Sequence, residues 1–266
     1  MGVHADGPDC RPGVIPAALV SVILTTRDRP RLLPVALECY RRQTYADREL
    51  IVVDDGDEHP VAEADVRAVG GRLIRMAPGT PLGVKLNAGA AAARGALCQK
   101  MDDDDWYSPR FVANNVAAWT AGREAVCSPS LVCMTSFLFF EVGRWEIRQS
   151  IDGNAPGATF LFAREDWEEC PFRPVRWDED TWFLLDQLAH GRNVVPMTDL
   201  ESFLAVRHRG AARDRGHTWI HQGDGRALED YLKERPLYGR QPDELLAPWV
   251  LPVYRAIRDE IHAAAA

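Results

Sequence analysis

Four consecutive carboxylates, Asp102 to Asp105, follow directly on an apolar stretch of the chain. At about 4 Å and an effective dielectric constant of about 20, each like-charged pair repels by roughly 4 kcal/mol, so the cluster needs full solvation or a cation. In extended backbone successive side chains alternate, which would place Asp102 and Asp104 on one side and Asp103 and Asp105 on the other. A pair of carboxylates on one side suits Mg²⁺ or Mn²⁺, and an ion with few protein ligands can also bind substrate phosphates.

Two other interpretations of this acidic run are open. It can be a solvated turn before a helix that runs through Trp119, since Ser108 and Pro109 suit the N-cap and first positions of a helix. A calcium loop of the EF-hand type is disfavoured, because its sixth position would be Tyr107 instead of glycine and its twelfth Ala113 instead of glutamate.

The elements before the acidic run alternate between strand and helix. Apolar, β-rich runs predict strands, and leucines and tyrosine at helical spacing predict a helix. In chain order the predicted elements are strand Ala18–Thr25, helix Arg31–Gln43, strand Glu49–Val53, helix Val61–Val69 and strand Arg72–Met76. This order predicts a doubly wound parallel sheet, in which ligands bind beyond the carboxyl ends of the strands. The polar clusters of this sequence fall at those ends.

The second half of the chain is predicted with less regular elements. The predictions up to residue 163 are helix Val84–Arg94, strand Ala96–Met101, extended strands within Ala125–Ile151 with Leu138–Phe140 and Trp145–Arg148 as a hairpin, and an apolar run Ala158–Ala163. Asp178-Glu179-Asp180 is predicted to open a helix with Trp182, Leu185 and Leu188 on its apolar face. The remaining predictions are short strands Val194-Val195 and Phe203–Val206, a basic loop Arg207–His221, helix Gly225–Arg235, and helix Asp243–His262, which Pro248 and Pro252 interrupt.

Composition limits the function classes. The chain has 266 residues, of which 46% are hydrophobic and 26% charged, and a net charge of -8, which argues against a broad nucleic-acid surface. No run approaches 18 apolar residues and the start lacks a signal pattern, so we expect a soluble, cytoplasmic protein without transmembrane segments. The six cysteines show no Cys-x-x-Cys spacing, which disfavours zinc and a disulfide framework. We expect a flexible tail at 1–17, a main domain at 18–208 with halves 18–105 and 106–208, and a loop with packed C-terminal helices at 209–266.

The order of the polar clusters resembles glycosyltransferase family 2. The likeness spans Ala18 to His208 and rests on Thr25-Thr26 after the first strand, Asp54-Asp55-Gly56 after the second, Asp102 to Asp105 after the fourth, and Glu179-Asp180 later in the chain. It implies an α/β fold of the GT-A type, a Rossmann-like doubly wound mixed sheet with a C-terminal helical extension.

The resemblance also implies a role for each cluster. The implied roles are nucleotide contacts from Thr25, Arg27, Asp54, Asp55 and Lys85, a ribose contact from Asp103, metal ligation by Asp104, Asp102 and His208, a general base at Asp180 with Glu179 beside it, and ordering of the loop by Asp105. Which acid is the main metal ligand stays open, because the middle residue of the family's DXD motif is small and here it is Asp103. His217 is the alternative to His208.

The implied reaction is a metal-dependent, inverting transfer of a sugar from a UDP, GDP or TDP sugar to an acceptor hydroxyl on a sugar, a lipid-linked glycan or a small molecule. Mn²⁺ or Mg²⁺ would be the cofactor. Processive synthases of the family carry Gln-x-x-Arg-Trp after the base, whereas the similar stretch Arg173–Trp177 precedes Asp180 here. Transfer of a single sugar is therefore expected.

Each cluster also has a structural interpretation, and other classes of protein compete. Asp54-Asp55-Gly56 can be a turn, Lys85 a solvated helix charge, Glu179-Asp180 first-turn acids that stabilise a helix, and His208 an ordinary surface residue. A sugar-nucleotide pyrophosphorylase needs a glycine-rich loop after the first strand, which Thr25–Arg29 lacks, and a haloacid-dehalogenase-like phosphatase expects Gly-Thr after its acids. A catalytically inactive nucleotide-sugar-binding module is the remaining alternative.

Overall fold

The computed structural model describes residues 18–126, 129–151, 153, 155–208 and 232–265. The predicted tail 1–17, most of the predicted basic loop and of the helix Gly225–Arg235, and His217 lie outside the described residues. The described part is a mixed α/β structure with one large sheet, one small sheet and helices on both faces of the large sheet.

The large sheet has the strand order β10-β6-β9-β4-β1-β2-β3. Its strands are β1 (Val20–Thr26), β2 (Arg48–Asp54), β3 (Arg72–Arg75), β4 (Leu97–Asp102), β6 (Pro129–Met134), β9 (Leu161–Ala163) and β10 (Asn193–Met197). Neighbouring strands are parallel except that β9 runs antiparallel to both β4 and β6. The predicted doubly wound mixed sheet is therefore confirmed.

The small sheet has the order β5-β11-β7-β8. It consists of β5 (Trp106–Tyr107), β7 (Leu138–Glu141), β8 (Glu146–Gln149) and β11 (Phe203–Arg207). The predicted hairpin is present, with Phe139 opposite Arg148 in the antiparallel pair β7 and β8. Because β5 follows the acidic run and pairs with β11, this sheet brings residues near 207 to the end of β4.

Helices cover the large sheet on both faces. They are α1 (Leu33–Arg41), α2 (Glu63–Ala68), α3 (Leu82–Ala91), α4 (Phe111–Val126), α5 (Arg164–Glu169), α6 (Glu179–Ala189), α7 (Pro242–Leu245) and α8 (Leu251–Ala265). Alternate residues of β1 point to opposite faces: Val22 and Leu24 belong to the core under α1 and α4, and Ile23 belongs to the core under α3 and α6. Both faces are buried, which explains why β1 reads as a continuous apolar run.

Small residues let α3 lie close to the sheet. A Cβ at Gly89 would be 2.5 Å from Cγ2 of Ile23, and one at Gly83 would be 1.9 Å from the carbonyl oxygen of Arg173. The second contact fixes the first turn of α3 against the segment that leads to α6.

The predicted apolar face of α6 is wrong. Trp182, Leu185 and Leu188 are exposed, and the buried side chains of this helix are Glu179, Phe183 and Gln187. Tertiary packing selects the face with Phe183, which stacks on Phe172 with ring centroids 4.0 Å apart. Hydrophobic spacing alone could not choose between two faces that both carry apolar residues.

The C-terminal helical prediction is confirmed in part. One interrupted helix was expected, and α7 and α8 are two separate helices joined by residues 246–250. Pro252 does not break α8, since it is the second residue of that helix, where its missing N–H costs nothing. Tyr254 of α8 packs edge-on against Phe140 of β7, so this region shares the core of the rest. Among the helices of the described residues, none has the length and apolar character needed to span a bilayer.

Asp28 ties the loop after β1 to the loop after β2. Its Oδ1 accepts hydrogen bonds of 2.9 Å each from the backbone N–H groups of Asp57, Glu58 and His59. Asp28 has φ = 52°, a conformation that aspartate and asparagine tolerate better than other non-glycine residues. The carboxylate therefore holds both loops at the carboxyl edge of the sheet.

We predict that Asp28→Ala lowers the free energy of unfolding by about 2 kcal/mol or more, because three N–H groups lose a charged acceptor and alanine is strained at positive φ. Asp28→Asn keeps an acceptor oxygen and should lose less than about 1 kcal/mol. Urea denaturation measures both. The exposed Asp57→Ala is the control, expected within about 0.5 kcal/mol of the parent protein. Equal losses in Asp28→Ala and Asp28→Asn would contradict this role.

Candidate active site

The polar clusters meet at the carboxyl ends of β1 and its neighbours, where successive strands of the chain change from one side of β1 to the other. The chain runs outward from β1 to β2 and β3, then returns to place β4 on the other side of β1. In doubly wound sheets ligands bind at such a switch point, beyond the carboxyl ends of the strands. At this edge Thr25 lies opposite Asp102 and Thr26 lies opposite Asp54 in the strand register. Neighbouring strand ends thus bring the predicted nucleotide and metal residues together.

The acidic run does not keep the extended backbone that the sequence suggested. Strand β4 ends at Asp102, and residues 103–105 form bends before β5. As a result Asp103 and Asp104 face the same cation: Nη1 of Arg29 lies 3.4 Å from Oδ1 of Asp103 and forms a close ion pair with Oδ2 of Asp104. The expected alternation, with Asp102 and Asp104 on one side, is therefore wrong after Asp102.

Arg29 compensates two buried carboxylates. Burial alone would lower the pKa of Arg29, but the charges of Asp103 and Asp104 outweigh it and raise that pKa. Burial raises the pKa of Asp103 to about 6, although Arg29 counteracts it, and the hydroxyl of Thr26 donates a hydrogen bond of 2.6 Å to Oδ2 of Asp103. Asp103 is thus held firmly against β1.

Asp104 and His208 lie side by side, as the resemblance implied. Nε2 of His208 is 3.6 Å from Oδ2 of Asp104, and His208 is fully buried. Neither ring nitrogen of His208 has a hydrogen-bond partner among the described residues. Two ligands that each lie about 2.1 Å from one ion can be at most about 4.2 Å apart, so this pair fits a divalent cation.

The protein supplies few ligands here. Within the described ranges, no group of three or more histidine, cysteine, aspartate and glutamate side chains converges as a ready-made metal site. An ion held by Asp104 and His208 would therefore take its other ligands from water or from a bound phosphate, which is usual for Mg²⁺ at phosphate-binding sites.

Asp105 orders the loop, as predicted. Its Oδ1 accepts a hydrogen bond of 2.8 Å from the backbone N–H of Val206 in β11 and lies 3.4 Å from Nη1 of Arg207. Burial and the charge of Asp104 raise the pKa of Asp105, and Arg207 counteracts this. These contacts link the acidic run to β11, the strand that His208 directly follows.

Asp54 has a structural role in this conformation. Its Oδ1 accepts a hydrogen bond from the backbone N–H of Gly56, and its Oδ2 accepts one from that of Val61 and pairs with Nη1 of Arg75 at 2.5 Å. The turn interpretation of Asp54-Asp55-Gly56 is thus present in the structure. A nucleobase contact by Asp54 stays a prediction, and a base would have to share these acceptor oxygens.

Asp55 and Lys85 form a buried ion pair near the carboxyl edge of the large sheet. Nζ of Lys85 lies 2.6 Å from Oδ1 of Asp55 and 3.3 Å from the carbonyl oxygen of Thr26. Oδ2 of Asp55 accepts a hydrogen bond of 3.0 Å from the N–H of Gly79 and lies 3.9 Å from Nη1 of Arg27. Lys85 is therefore not a solvated helix charge, and this pair fixes the loop that holds Gly79.

Lys100 joins the acidic run to α6. Its Nζ lies 3.1 Å from Oδ1 of Asp102 and 3.5 Å from Oε1 of Glu179. Burial acts to lower the pKa of Lys100, but the charges of Asp102, Glu179 and Asp180 raise it, so the amine stays protonated. Asp102 of the acidic run and Glu179, next to the candidate base Asp180, thus share one cation.

Asp180 is positioned by the backbone at Gly157. The N–H of Gly157 donates a hydrogen bond of 3.1 Å to Oδ2 of Asp180, and a Cβ at Gly157 would be 2.3 Å from Cβ of Asp180. The other oxygen of Asp180 accepts a hydrogen bond from the N–H of Thr181, so the carboxylate also caps the first turn of α6. The neighbouring Glu179 is buried, with a pKa that burial raises to about 7.

Sequence reasoning gave no site role to Arg29, Thr26 or Lys100. Arg29 and Lys100 are charged residues beside apolar strands and could have been flagged as partners of the acidic run, but spacing does not reveal which acid each cation faces. Arg94, at the end of the predicted helix Val84–Arg94, pairs with Glu49 near the amino end of β2, at the opposite edge of the sheet from the acidic run.

The comparisons with known proteins agree with this geometry. Residues 21–174 match the family model described as Glycosyl transferase family 2, which is more than half of the chain. This chain belongs to glycosyl transferase family 2. The family match includes the clusters at Thr25, Asp54 and Asp102–Asp105, whereas Glu179, Asp180 and His208 lie beyond it and are placed by the structure alone.

One relative in sequence and two solved structures show how far the similarity to known proteins extends. The putative glycosyltransferase EpsH of Bacillus subtilis (strain 168) is 28% identical over 128 residues, which is 47% of this chain and 36% of EpsH. The mannosyltransferase PcManGT from Pyrobaculum calidifontis, solved with GDP-Man and Mn²⁺, has a TM-score of 0.56 and 18% identity, covering 94% of this chain and 76% of that protein. TarS 1-349 from S. aureus, solved with UDP-GlcNAc, has a TM-score of 0.56 and 14% identity, and the similarity covers 78% of this chain and 61% of the TarS chain.

These similarities confirm the GT-A type fold and the family. The chain spans only about a third of the length of EpsH, and identities of 14% and 18% to the solved structures establish the fold alone. The division of the chain at residues 105 and 208 stays a prediction.

We predict that Glu179 makes stability fall as pH rises from about 4.5 to about 7. In this window the folded protein keeps a proton on Glu179 that the unfolded chain releases, so the free energy of unfolding decreases with pH. Residue 179 cannot titrate in Glu179→Gln, so the free energy of unfolding of this variant should fall by on the order of 3 kcal/mol less than that of the parent protein across this window. Urea denaturation at pH 5 and pH 7.5 measures the difference.

The exposed Glu58→Gln is the control, because Glu58 lies on the surface and its substitution should leave the pH dependence of the parent unchanged. The same loss of stability between pH 5 and pH 7.5 in Glu179→Gln and in the parent protein would show that Glu179 ionises normally in the folded state.

Proposed function

We propose that this chain is a metal-dependent, inverting glycosyltransferase that moves a single sugar from a nucleoside-diphosphate sugar to an acceptor hydroxyl. One observation carries the proposal. Lys100 lies between Asp102 and Glu179, so the acids at the end of β4 and the first turn of α6 form one site at the switch point of a family 2 sheet.

The donor nucleotide would bind along the ends of β1 and β2. Thr25 lies near the carboxyl end of β1 and Arg27 directly follows that strand. Asp55 and Lys85 shape the loop at Gly79. Asp103, held by Thr26, would reach the ribose. The donor can be a UDP, GDP or TDP sugar; PcManGT was solved with GDP-Man and TarS with UDP-GlcNAc, which supports nucleotide sugars as a class.

Asp104 and His208 would hold Mn²⁺ or Mg²⁺, with Asp102 near them. When bound, such an ion supplies positive charge to the diphosphate leaving group, which is the charge that develops as the glycosidic bond breaks. The observation that supports this fit is the buried imidazole of His208, whose Nε2 is 3.6 Å from Oδ2 of Asp104. PcManGT was solved with Mn²⁺.

Asp180 is the proposed general base. It accepts the proton of the acceptor hydroxyl while that oxygen bonds to the anomeric carbon, and the bond from this carbon to the diphosphate breaks with its electron pair leaving on the diphosphate. Attack from the face opposite the leaving group inverts the configuration. Gly157 fixes the carboxylate, and Glu179 remains partly protonated near neutral pH, which limits like-charge repulsion against Asp180.

The family match favours this function over a nucleotidyltransferase of the pyrophosphorylase type. The proposed transferase function is also favoured over an inactive nucleotide-sugar-binding module. The reason is that the candidate base Asp180 is present, with glycine at position 157, where a Cβ would collide with it. The acceptor, whether a sugar, a lipid-linked glycan or a small molecule, is left open by these contacts.

Calorimetric titration with UDP, GDP and TDP tests donor binding. We predict that one of these nucleotides binds at least about tenfold more tightly with Mn²⁺ than without it, because the ion bridges the protein and the diphosphate. Asp104→Asn should lose this metal effect, and Asp186→Asn, on the outer side of α6 and paired with Arg173, should keep it. Absence of binding for all three nucleotides with and without Mn²⁺ would contradict the proposed function.

A substitution at Asp180 tests the base. We predict that Asp180→Asn retains nucleotide binding and lowers kcat by about 10²- to 10⁴-fold, since a neutral amide cannot accept the proton. Asp186→Asn on the same helix is the matched control and should keep near-parental turnover. Turnover is measured with the nucleotide sugar identified by screening donors for hydrolysis. Turnover of Asp180→Asn equal to that of the parent would remove Asp180 from this role.

A further inference from the structure

One carboxylate oxygen at this site has two different neighbours, a guanidinium and an imidazole. Oδ2 of Asp104 forms the close ion pair with Nη1 of Arg29 and also faces Nε2 of His208 at 3.6 Å. The guanidinium always carries its charge. Oδ2 of Asp104 is therefore already neutralised by a cation that belongs to the protein.

A divalent cation on Asp104 would meet this guanidinium at short range. Both cations would lie within a few ångströms of one carboxylate oxygen, in a region where Arg29 is only 15% exposed and water screens poorly. Their repulsion means that the ion and Arg29 cannot both remain on Oδ2. Arg29 must therefore withdraw from Oδ2 for the ion to bind this oxygen beside His208.

Arg29 has a second acceptor within reach. Its Nη1 lies 3.4 Å from Oδ1 of Asp103, and the hydroxyl of Thr26 holds the other oxygen of Asp103 in place. A small movement would therefore transfer the guanidinium from Asp104 to Asp103 without leaving either charge unpaired.

We infer that Arg29 is an internal counter-cation that competes with the metal for Asp104 and sets the metal affinity of the site. Without metal it holds the two acids together; with metal it shifts to Asp103 and leaves Oδ2 of Asp104 to the ion. This inference rests on the proposed metal site at Asp104 and His208. Arg29 acts as a positioning residue, since it works through Asp103 and Asp104.

Manganese binding in the absence of any nucleotide tests the inference. Free Mn²⁺ is measured by electron paramagnetic resonance during titration of the parent protein and of Arg29→Gln. We expect Arg29→Gln to bind Mn²⁺ about tenfold more tightly, within the usual range for coupled sites. General damage to the site would weaken binding, so tighter binding is a result that a purely structural role of Arg29 does not produce.

Arg31→Gln is the matched control. Arg31 stands two residues further along the same loop, pairs with Glu260 outside the site, and its substitution changes the net charge by the same amount. We expect Arg31→Gln to bind Mn²⁺ as the parent does. An equal gain in both variants would assign the effect to net charge and overturn the inference.

The remaining outcomes separate the inference from the proposed function. If the parent binds Mn²⁺ and Arg29→Gln binds it with equal or lower affinity, the inference fails while the proposed metal site stands. If neither protein binds Mn²⁺, even with a nucleoside diphosphate present, the proposed metal site fails and the inference fails with it.

A measurement on the unsubstituted protein covers the case in which Arg29→Gln does not fold. The protein is labelled with ¹⁵N-arginine, and the guanidinium signals of Arg29 are assigned by their absence in Arg29→Lys. These protons should exchange slowly with water in the metal-free protein, and their exchange should become several-fold faster after Mg²⁺ is added. The Arg31 protons should not change. Unchanged exchange at Arg29 in Mg²⁺-saturated protein would overturn the inference.

Discussion

Compensation of buried negative charge is the constraint on which this site depends. Seven of the described carboxylates near the carboxyl edge of the large sheet are at most 6% exposed: Asp28, Asp54, Asp55, Asp103, Asp104, Asp105 and Glu179. Buried carboxylates are costly unless they are paired or hydrogen-bonded. The buried carboxylates of this edge are therefore paired with groups from its loops. Arg29 is a cation that pairs with Asp103 and Asp104, and three backbone N–H groups bind Asp28. These partners stabilise the loops in the conformations observed.

The same charge pattern couples parts of the chain that are far apart in sequence. Lys100 connects the end of β4 to α6, Asp105 connects the acidic run to β11, and Lys85 connects α3 to the loops after β1 and β2. A substitution at one of these contacts would leave a buried charge without its partner. This explains how the first turn of α6 and His208, both outside the family match, come to lie beside the acidic run.

Long apolar runs and their order predicted a doubly wound sheet and the edge at which the polar clusters meet. They predicted a parallel sheet, and the antiparallel strand β9 followed only from the family resemblance, which implied a mixed sheet. The sequence did not predict the partners of the acids. An alternation of side chains was assumed through Asp105, whereas the bends after Asp102 turn both Asp103 and Asp104 towards Arg29. The buried face of α6 was also missed, because Phe183 and Trp182 are both apolar and only packing against Phe172 distinguishes them. Loop conformation and long-range ion pairs are tertiary properties, and local patterns do not encode them.

Anomalous diffraction at the manganese edge, from crystals grown with Mn²⁺ and a nucleoside diphosphate, tests the central claim that this acidic edge binds a cation together with the donor. The account predicts one manganese peak bonded to a carboxylate oxygen of Asp104 and to Nε2 of His208, with the diphosphate completing its coordination. A bound nucleotide with no manganese peak among Asp102, Asp104 and His208, or a nucleotide bound away from the ends of β1 and β4, would contradict it.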